Sequence, residues 1–145
     1  MLSGWEAVSL PNAKQLQAVR AAAHLWIEHF KSGDLDQLMT LYEPDAFIAL
    51  HGQPAMRGID EIRAYFESRI GRPGVKFDLD IEEIQIHGDV AHLVSKYWFE
   101  LPLEDGGSYR DAGRSLLIYK NSKEHGWRIY LDLDQATPDV TWPTE

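Results

Sequence analysis

Two aspartates near the C-terminal end of the chain, Asp132 and Asp134, have the spacing that most directly suggests chemistry. Residues two apart in a β-strand point to the same face of a sheet, so a strand here would present both carboxyl groups together. Such a pair forms either a solvated sheet face or the floor of a site. Both alternatives stay open at this point, because the apolar residues that alternate with the aspartates are typical of a strand with one wet face: Ile129, Leu131 and Leu133.

Two histidines, His51 and His92, are the candidates for a base that works near neutral pH. A single histidine is also often a surface or core residue, and that alternative applies to both. The sequence has no His-Glu-x-x-His motif and no carboxylate-rich loop, so we expect no metal site, although Asp132 and Asp134 with a histidine could form a divalent-ion site. It also lacks phosphate-binding and Gly-x-Ser-x-Gly motifs, and we expect no cofactor.

The composition favours a single small domain that binds small molecules. A chain of 145 residues is long enough for one core, and the absence of cysteine excludes disulfides and thiolate chemistry. A formal charge of -9 repels nucleic-acid phosphates, so neutral or cationic small molecules are the expected ligands. No apolar run is long enough to cross a membrane, and the first residues do not resemble a secretory signal, so we expect a cytoplasmic protein.

The elements that must position these residues follow from periodicity and turn chemistry. Apolar residues at helical spacing predict a helix over 14–31, a short second helix capped by Asp34 and Gln37 and ended by Pro44, and a third helix after Gly58. A strand is predicted over 46–51. Four long strands joined by tight turns then form an antiparallel meander, with predicted ranges 75–87, 90–103, 108–121 and 127–134. A change of phase near Glu82 and Glu83 predicts a β-bulge that curves the sheet.

Four segments in this order resemble the NTF2-like superfamily, in particular its SnoaL-like and ketosteroid-isomerase-like proteins and the calcium/calmodulin kinase II association domains. They are Gly33-Asp-Leu-Asp36, Met56-Arg-Gly-Ile-Asp-Glu-Ile62, Gly113-Arg-Ser-Leu-Leu-Ile-Tyr119 and Gly126-Trp-Arg-Ile-Tyr-Leu-Asp132. The resemblance implies an α+β fold, a cone-shaped roll of three N-terminal helices on a strongly curved, mostly antiparallel sheet. It predicts an N-terminal extension at 1–13, the domain at 14–135 and a C-terminal tail at 136–145.

The resemblance does not carry over the residues of ketosteroid isomerisation. Alignment on the shared motifs places the family's tyrosine at Trp26, its base at Leu50 and its second acid near Leu116. Leucine neither takes up a proton nor donates a hydrogen bond. We therefore expect no steroid isomerisation by that residue set.

The same alignment predicts which residues line the concave side. The predicted catalytic residues are Asp132 and Asp134 as acid or base, Arg114 as their charge partner and His92, or alternatively His51, as a proton shuttle. An arginine near two carboxylates would separate their proton affinities, but the same geometry could also form a structural salt bridge. The predicted ligand-binding residues are Trp26, Leu50, His51, Val94, Lys96, Trp98 and Leu116.

These expectations lead to two functional hypotheses. The first is a small-molecule pocket protein that acts as a cofactor-independent isomerase, cyclase, dehydratase or hydrolase by general acid/base catalysis on a partly apolar ligand. The second is a non-catalytic homodimeric association or ligand-binding domain. Because both faces of the second long strand carry apolar residues, we predict a homodimer through the convex sheet face, with Leu93, Tyr97 and Phe99 in the interface. Whether the protein is an enzyme stays open.

Overall fold

The computed structural model describes the backbone of residues 4–143 and the side chains of residues 12–143. Three helices precede most of the sheet, which confirms the α+β prediction of helices on a curved, mostly antiparallel sheet. The helices are α1 (Gly4–Ser32), α2 (Leu35–Met39) and α3 (Ile59–Glu67). The strands are β1 (Tyr42–Ala49), β2 (Met56–Arg57), β3 (Lys76–His87), β4 (Val90–Pro102), β5 (Ser108–Ser122) and β6 (Gly126–Gln135). No described helix is long and apolar enough to span a membrane.

The six strands lie in the order β2-β1-β6-β5-β4-β3. Strands β3 to β6 form the predicted antiparallel meander, and β1 joins it by pairing parallel to β6. The first strand begins earlier than predicted, so Pro44 lies inside β1 and does not end α2, which already ends at Met39. The two-residue edge strand β2 was not predicted, because two residues carry no readable periodicity.

The turns at the ends of the helices use the expected residues. The Asp34 carboxylate accepts a hydrogen bond of 3.1 Å from the backbone N–H of Gln37, which caps α2 as predicted. Gly33 and Gly71, which follow α1 and α3, both have positive φ, and a Cβ atom on Gly71 would lie 2.7 Å from the Cα of Gly33. Glycine at both positions therefore lets the ends of two helices meet.

Two β-bulges set which side chains point to the concave face. The first lies between Ile81 and Glu83 in β3, where the sequence predicts it. The second lies in β6, because Ile118 pairs with Leu131 while Tyr119 pairs with Ile129, which leaves Tyr130 as the additional residue. A bulge changes the phase of the alternation. As a result, Ile129 and Asp132 are both buried on the same, concave, face.

The hydrophobic core lies between the concave face and the helices. Leu93 in β4 and Tyr119 in β5 contribute from the sheet, and Val19, Phe30 and Ile62 contribute from the helices. The predicted homodimer interface is therefore wrong in its residues. Leu93 is fully buried, Tyr97 is 4% exposed, and Phe99 packs against the core, so these three side chains face the helices of their own chain.

The outer face of the sheet is partly covered by the segment after β6. Val140 is buried there, and the indole N–H of Trp98 donates a hydrogen bond of 2.8 Å to the carbonyl oxygen of Thr141. The predicted tail at 136–145 is thus packed on the domain at Val140 and Thr141. The predicted N-terminal extension at 1–13 overlaps α1, which begins at Gly4. Residues 1–3 and 144–145 of these two segments lie outside the described residues.

Candidate functional site

A cavity of about 380 Å³ lies between α1, α3 and the concave face of the sheet. Among the predicted site residues, it is lined by Trp26, Leu50, His51, Asp132 and Asp134. Its volume lies in the range of small-molecule sites, which combine apolar walls with a few polar groups. Seven of the further lining residues are aromatic, and the sequence predicts none of them as site residues, although Tyr97 and Phe99 are in the predicted dimer face: Phe30, Tyr65, Phe66, Phe77, Tyr97, Phe99 and Tyr109.

The indole of Trp26 forms a rigid part of the wall. It stacks on Phe30 with ring centroids 5.1 Å apart, and its N–H donates a hydrogen bond of 2.7 Å to the hydroxyl of Tyr42. Both contacts hold the ring in one orientation. Trp26 therefore presents an apolar surface to the cavity while its only polar group is satisfied in the core.

Asp132 lies at the floor of this cavity and is only 8% exposed. Its Cα partners on the two neighbouring strands are Leu117 in β5 and Ile48 in β1. Burial, and next the negative charge of Asp134, raise the pKa of the Asp132 carboxyl to about 8. The group is therefore mainly protonated at neutral pH and can donate a hydrogen bond or a proton.

Two tyrosines are buried beside Asp132. Burial, and after it the charge of Asp132, raise the pKa of both Tyr42 and Tyr119. The hydroxyl of Tyr119 is buried and has no hydrogen-bond partner among the described residues. Asp132 thus has neutral, buried hydroxyl groups near it in the core.

Asp134 lies closer to the mouth and is half-buried. Its carboxylate accepts a hydrogen bond from the backbone N–H of His51. The pKa of Asp134 is raised, mainly by burial and also by the charge of Asp111, while this hydrogen bond and the nearby His51 side chain oppose the rise. The two aspartates therefore differ, because no described residue donates such a hydrogen bond to stabilise the charged form of Asp132.

A third carboxyl group, Asp111 in β5, also lines the cavity. It accepts a hydrogen bond of 3.2 Å from the hydroxyl of Tyr97 in β4. Burial, and then the charges of Asp134 and Asp111, raise the pKa of Tyr97 well above its usual value. The signal that could have found both residues is strand alternation, because Tyr97 and Asp111 occupy odd positions that share a face with Leu93 and Leu117.

Two arginines, Arg69 and Arg72, come from the segment after α3 and line the same cavity. The Arg69 guanidinium lies 4.0 Å from the ring centroid of Tyr65 and donates a hydrogen bond of 2.6 Å to the Tyr65 carbonyl oxygen. No sequence pattern points to either arginine, because both follow the helix in a segment without periodicity.

Six predicted site residues lie on the opposite, outer face of the sheet, so their assignment to the concave side is wrong. In β5, Leu117 pairs with Asp132, and Leu116 and Arg114 alternate with the inward-facing residues. In β4, Leu93 and Tyr97 point inward, so the even-numbered positions between and beside them point outward. The six residues are His92, Val94, Lys96, Trp98, Arg114 and Leu116.

The charged members of this set have partners on the outer face. Arg114 contacts Glu82 at 2.7 Å and Asp139 at 2.9 Å, and Lys96 lies 4.0 Å from Glu82. His92 contacts Glu83 at 2.6 Å. Arg114 therefore cannot act as the charge partner of Asp132 or Asp134, and the alternative of a structural salt bridge holds for Arg114 with different carboxylates.

No group of three or more histidine, cysteine, aspartate or glutamate side chains within the described part of the chain is arranged to hold a metal ion. The chemistry offered by the cavity is that of a protonated carboxyl group, two further carboxyl groups, two guanidinium groups and aromatic walls.

Comparisons with known proteins agree with this architecture. The family described as the SnoaL-like domain matches residues 19–130. The chain belongs to this family. SnoaL-like proteins share the NTF2-like fold, whose members are often isomerases or dehydratases. The NTF2-like resemblance predicted from the sequence is thereby confirmed. A search of curated protein sequences finds no match.

Solved structures of NTF2-like proteins superpose on most of this member of the SnoaL-like family. An NTF2-like protein with a cystatin-like fold from Novosphingobium aromaticivorans has a TM-score of 0.77 at 18% identity, over 92% of this chain and 88% of its own. An NTF2-like superfamily protein from Salmonella enterica has a TM-score of 0.77 at 18% identity, over 88% and 94%. A ketosteroid isomerase-like protein from Erwinia carotovora has a TM-score of 0.70 at 21% identity, over 85% and 98%. At these identities the similarity shows the fold alone.

Proposed function

We propose that the protein binds a partly apolar small molecule in the concave cavity and transforms it by general acid/base catalysis without a cofactor. The observation that carries the proposal is Asp132, a carboxyl group with a pKa raised to about 8 at the floor of an aromatic-walled cavity. Carboxyl groups with proton affinities near neutral pH, placed in a cavity, are typical of catalytic acids and bases.

In this proposal Asp132 donates a proton to a carbonyl or hydroxyl oxygen of the ligand, and Asp134 accepts a proton from a neighbouring carbon or oxygen. Two groups with different proton affinities on one strand can move a proton across the ligand in either direction. Isomerisation, cyclisation, dehydration and hydrolysis are reaction classes that need only such a proton donor and proton acceptor. The set of ketosteroid isomerase residues is not used, because Trp26 and Leu50 occupy two of its positions.

Hydrogen exchange can test the proposal before a substrate is known. The protein would be incubated in D₂O with cyclic ketones and β-keto esters, and loss of their acidic C–H signals would be followed by proton NMR. We expect exchange with one or more compounds, reduced by about 10²- to 10⁴-fold in Asp132→Asn and Asp134→Asn. The outer-face variant Asp139→Asn serves as the control and should exchange like wild type. Equal exchange in all variants would contradict the proposed roles.

The second candidate function is homodimeric association through the outer, convex face of the sheet, with residues other than those predicted from the sequence. An apolar strip lies there beside the packed tail, and Leu133 within it is 36% exposed. A symmetric dimer would place the same strip of each copy against the other. Its members are Val94, Leu116, Ile118, Leu131 and Leu133.

Light scattering at micromolar concentration would test this association. We expect a dimer for wild type and a monomer for Leu133→Glu. The control is Leu103→Glu, because Leu103 is 41% exposed and lies in the turn after β4, away from the strip. A wild-type monomer would contradict the dimer, and a dimeric Leu133→Glu variant would contradict the interface.

A further inference from the structure

The mouth of the cavity carries two arginines that have no carboxylate partner among the described residues. Arg69 and Arg72 are absent from the ion pairs of that part of the chain, as are Arg20, Arg57 and Arg128, but of these five only Arg69 and Arg72 line the cavity. The sequence contains 23 acidic residues against 14 basic ones, so ion-pair partners are abundant overall. Arg69 and Arg72 are therefore two cations, unpaired within the described part of the chain, that a ligand in the cavity can reach.

The geometry of Arg69 leaves part of its guanidinium available. One Nη atom donates to the Tyr65 carbonyl oxygen, and the plane of the group lies over the Tyr65 ring. Both contacts hold the side chain at the rim, and its other N–H groups have no acceptor among the described residues. The Arg72 side chain is half-buried and likewise makes no hydrogen bond or ion pair with the described residues. Guanidinium groups held in this way suit a planar carboxylate, which they bind through paired charge-assisted hydrogen bonds.

The rest of the cavity has the opposite electrostatic character. Its lining carries the carboxyl groups of Asp111, Asp132 and Asp134, with aromatic rings among them. An anionic group would be repelled by Asp111 and Asp134 and attracted by the two arginines. The cavity therefore orients a ligand that has an anionic end and a neutral polar end.

We propose that the substrate is an aromatic or alicyclic carboxylic acid, bound with its carboxylate at Arg69 and Arg72 and with its reacting carbonyl or hydroxyl group at Asp132 and Asp134. This inference rests on the proposed function of the same cavity and adds the chemical class of its substrate. It reverses the expectation from net charge, which favours neutral or cationic ligands. The local charge at the opening decides the preference, because the rest of the acidic surface is screened by salt beyond about 10 Å at 0.1 M ionic strength.

A matched ligand pair separates this inference from the proposed function. Isothermal titration calorimetry at pH 7 would compare 3-phenylpropanoate with 3-phenylpropanamide, which have the same body and differ in charge. We expect wild type to bind the acid about tenfold more tightly than the amide, as charge-assisted hydrogen bonds predict. This preference should shrink with added salt.

The variants Arg69→Gln, Arg72→Gln and their combination test which residues cause the preference. We expect each single change to reduce the preference for the acid and the double variant to lose it, because only the carboxyl groups of Asp111 and Asp134 then act on the anion. The control is Arg57→Gln, which removes the same charge from a side chain that lies over Phe47 and does not line the cavity. It should keep the full preference.

The results distinguish the two proposals. If wild type binds both compounds equally, or if the double variant still prefers the acid, the inference of an acidic substrate is wrong while the cavity remains a small-molecule site. If neither compound binds to wild type, both the inference and the proposed binding function are contradicted. Unfolding midpoints of the variants would show that each is folded.

Discussion

On the concave face of the sheet, Asp132 and Asp134 lie in a cavity with no cationic side chain of the described residues within ion-pair distance. On the outer face, a few ångströms away through the same backbone, Arg114 lies between Glu82 and Asp139 and contacts both. The pKa of Asp132 is raised to about 8, mainly by burial, while that of Asp139 is lowered to about 2, mainly by its hydrogen bond from Arg114. Aspartate thus has a raised pKa on the concave face of the sheet and a lowered pKa on the outer face.

The difference shows which of the charged groups can do chemistry. A carboxylate that is exposed and paired with arginine stays ionised throughout the physiological range and has no proton to give. A carboxyl group that is buried without a cation keeps its proton and can exchange it with a ligand. Pairing and solvation, rather than the mere presence of acids and bases, separate the candidate site from the structural surface.

The largest effect is expected in Asp132→Asn, which should lose part of the pH dependence of stability that wild type has. This effect tests the comparison between the two faces. Because the folded pKa of Asp132 lies above its unfolded value near 3.8, the folded state holds the proton more tightly, and wild-type stability falls as pH rises from about 4 to about 8. The slope from this group reaches up to about 1.4 kcal/mol per pH unit. An asparagine side chain at this position stays neutral at every pH, so the variant should lose this slope and be more stable than wild type at pH 7.5.

Urea unfolding at several pH values would measure this pH dependence of stability. Asp139→Asn is the matched control on the outer face. Its folded pKa is lowered, so its contribution to stability is present above the unfolded pKa and is lost only as pH falls toward about 2. Parallel stability curves for wild type and Asp132→Asn between pH 4 and 8 would show that Asp132 is not a protonated, buried group.

The next largest effect is a difference in unfolding free energy between variants of two indole N–H donors, one on each face of the sheet. Trp26 donates to the hydroxyl of Tyr42, which is 1% exposed, whereas Trp98 donates to Thr141 on the exposed outer face. Trp26→Phe should cost about 1–3 kcal/mol in the free energy of unfolding, because it leaves a buried hydroxyl without its donor. Trp98→Phe should cost less than about 1 kcal/mol, because water can replace the donor.

A double-mutant cycle sharpens this comparison. Tyr42→Phe removes the acceptor, so the combined Trp26→Phe and Tyr42→Phe variant should lose less stability than the sum of the single changes. Additive costs would show that the hydrogen bond contributes nothing to folding.

The smallest effect is expected from the ion pairs of the outer face. Arg114→Gln should shift the unfolding midpoint only slightly at low salt, because exposed ion pairs are screened and their ordering costs entropy. The shift should disappear at 1 M NaCl, where the screening length is about 3 Å, while the effect of Asp132→Asn persists. A shift in Arg114→Gln that is large and independent of salt would overturn the distinction between the two faces.

Much of the fold follows from local signals in the sequence. Some patterns report a backbone feature within a few residues, as do the capping residue Asp34, the phase change at Glu82 and the glycine-containing turns. The predicted helices and the predicted meander are confirmed. The edge strand β2 and the earlier start of β1 depend on pairing partners far along the chain, which no local pattern contains.

The candidate site could be predicted only in part, because the facing of each strand depends on the bulges. In β4 both alternations are rich in apolar residues, so periodicity cannot tell which of Leu93 and Val94 points inward. In β6 the bulge at Tyr130 lets Ile129 and Asp132 share a face, which a regular strand forbids. The alternation of apolar and acidic residues, which is typical of a solvated face for the aspartates, is interrupted at this bulge. A pairing of β5 with β6 that lacks the bulge places Arg114 on the concave side.

The position of β6 in the sheet has a consequence for how the protein forms. This last strand lies between β1 and β5, and its parallel contact with β1 joins Ile48 to Asp132 across most of the sequence. Contacts of such long separation close late and slow folding. Because β6 alone joins β1 to β5 in the described sheet, we expect the buried environment of Asp132 to form only after β6 has been synthesised.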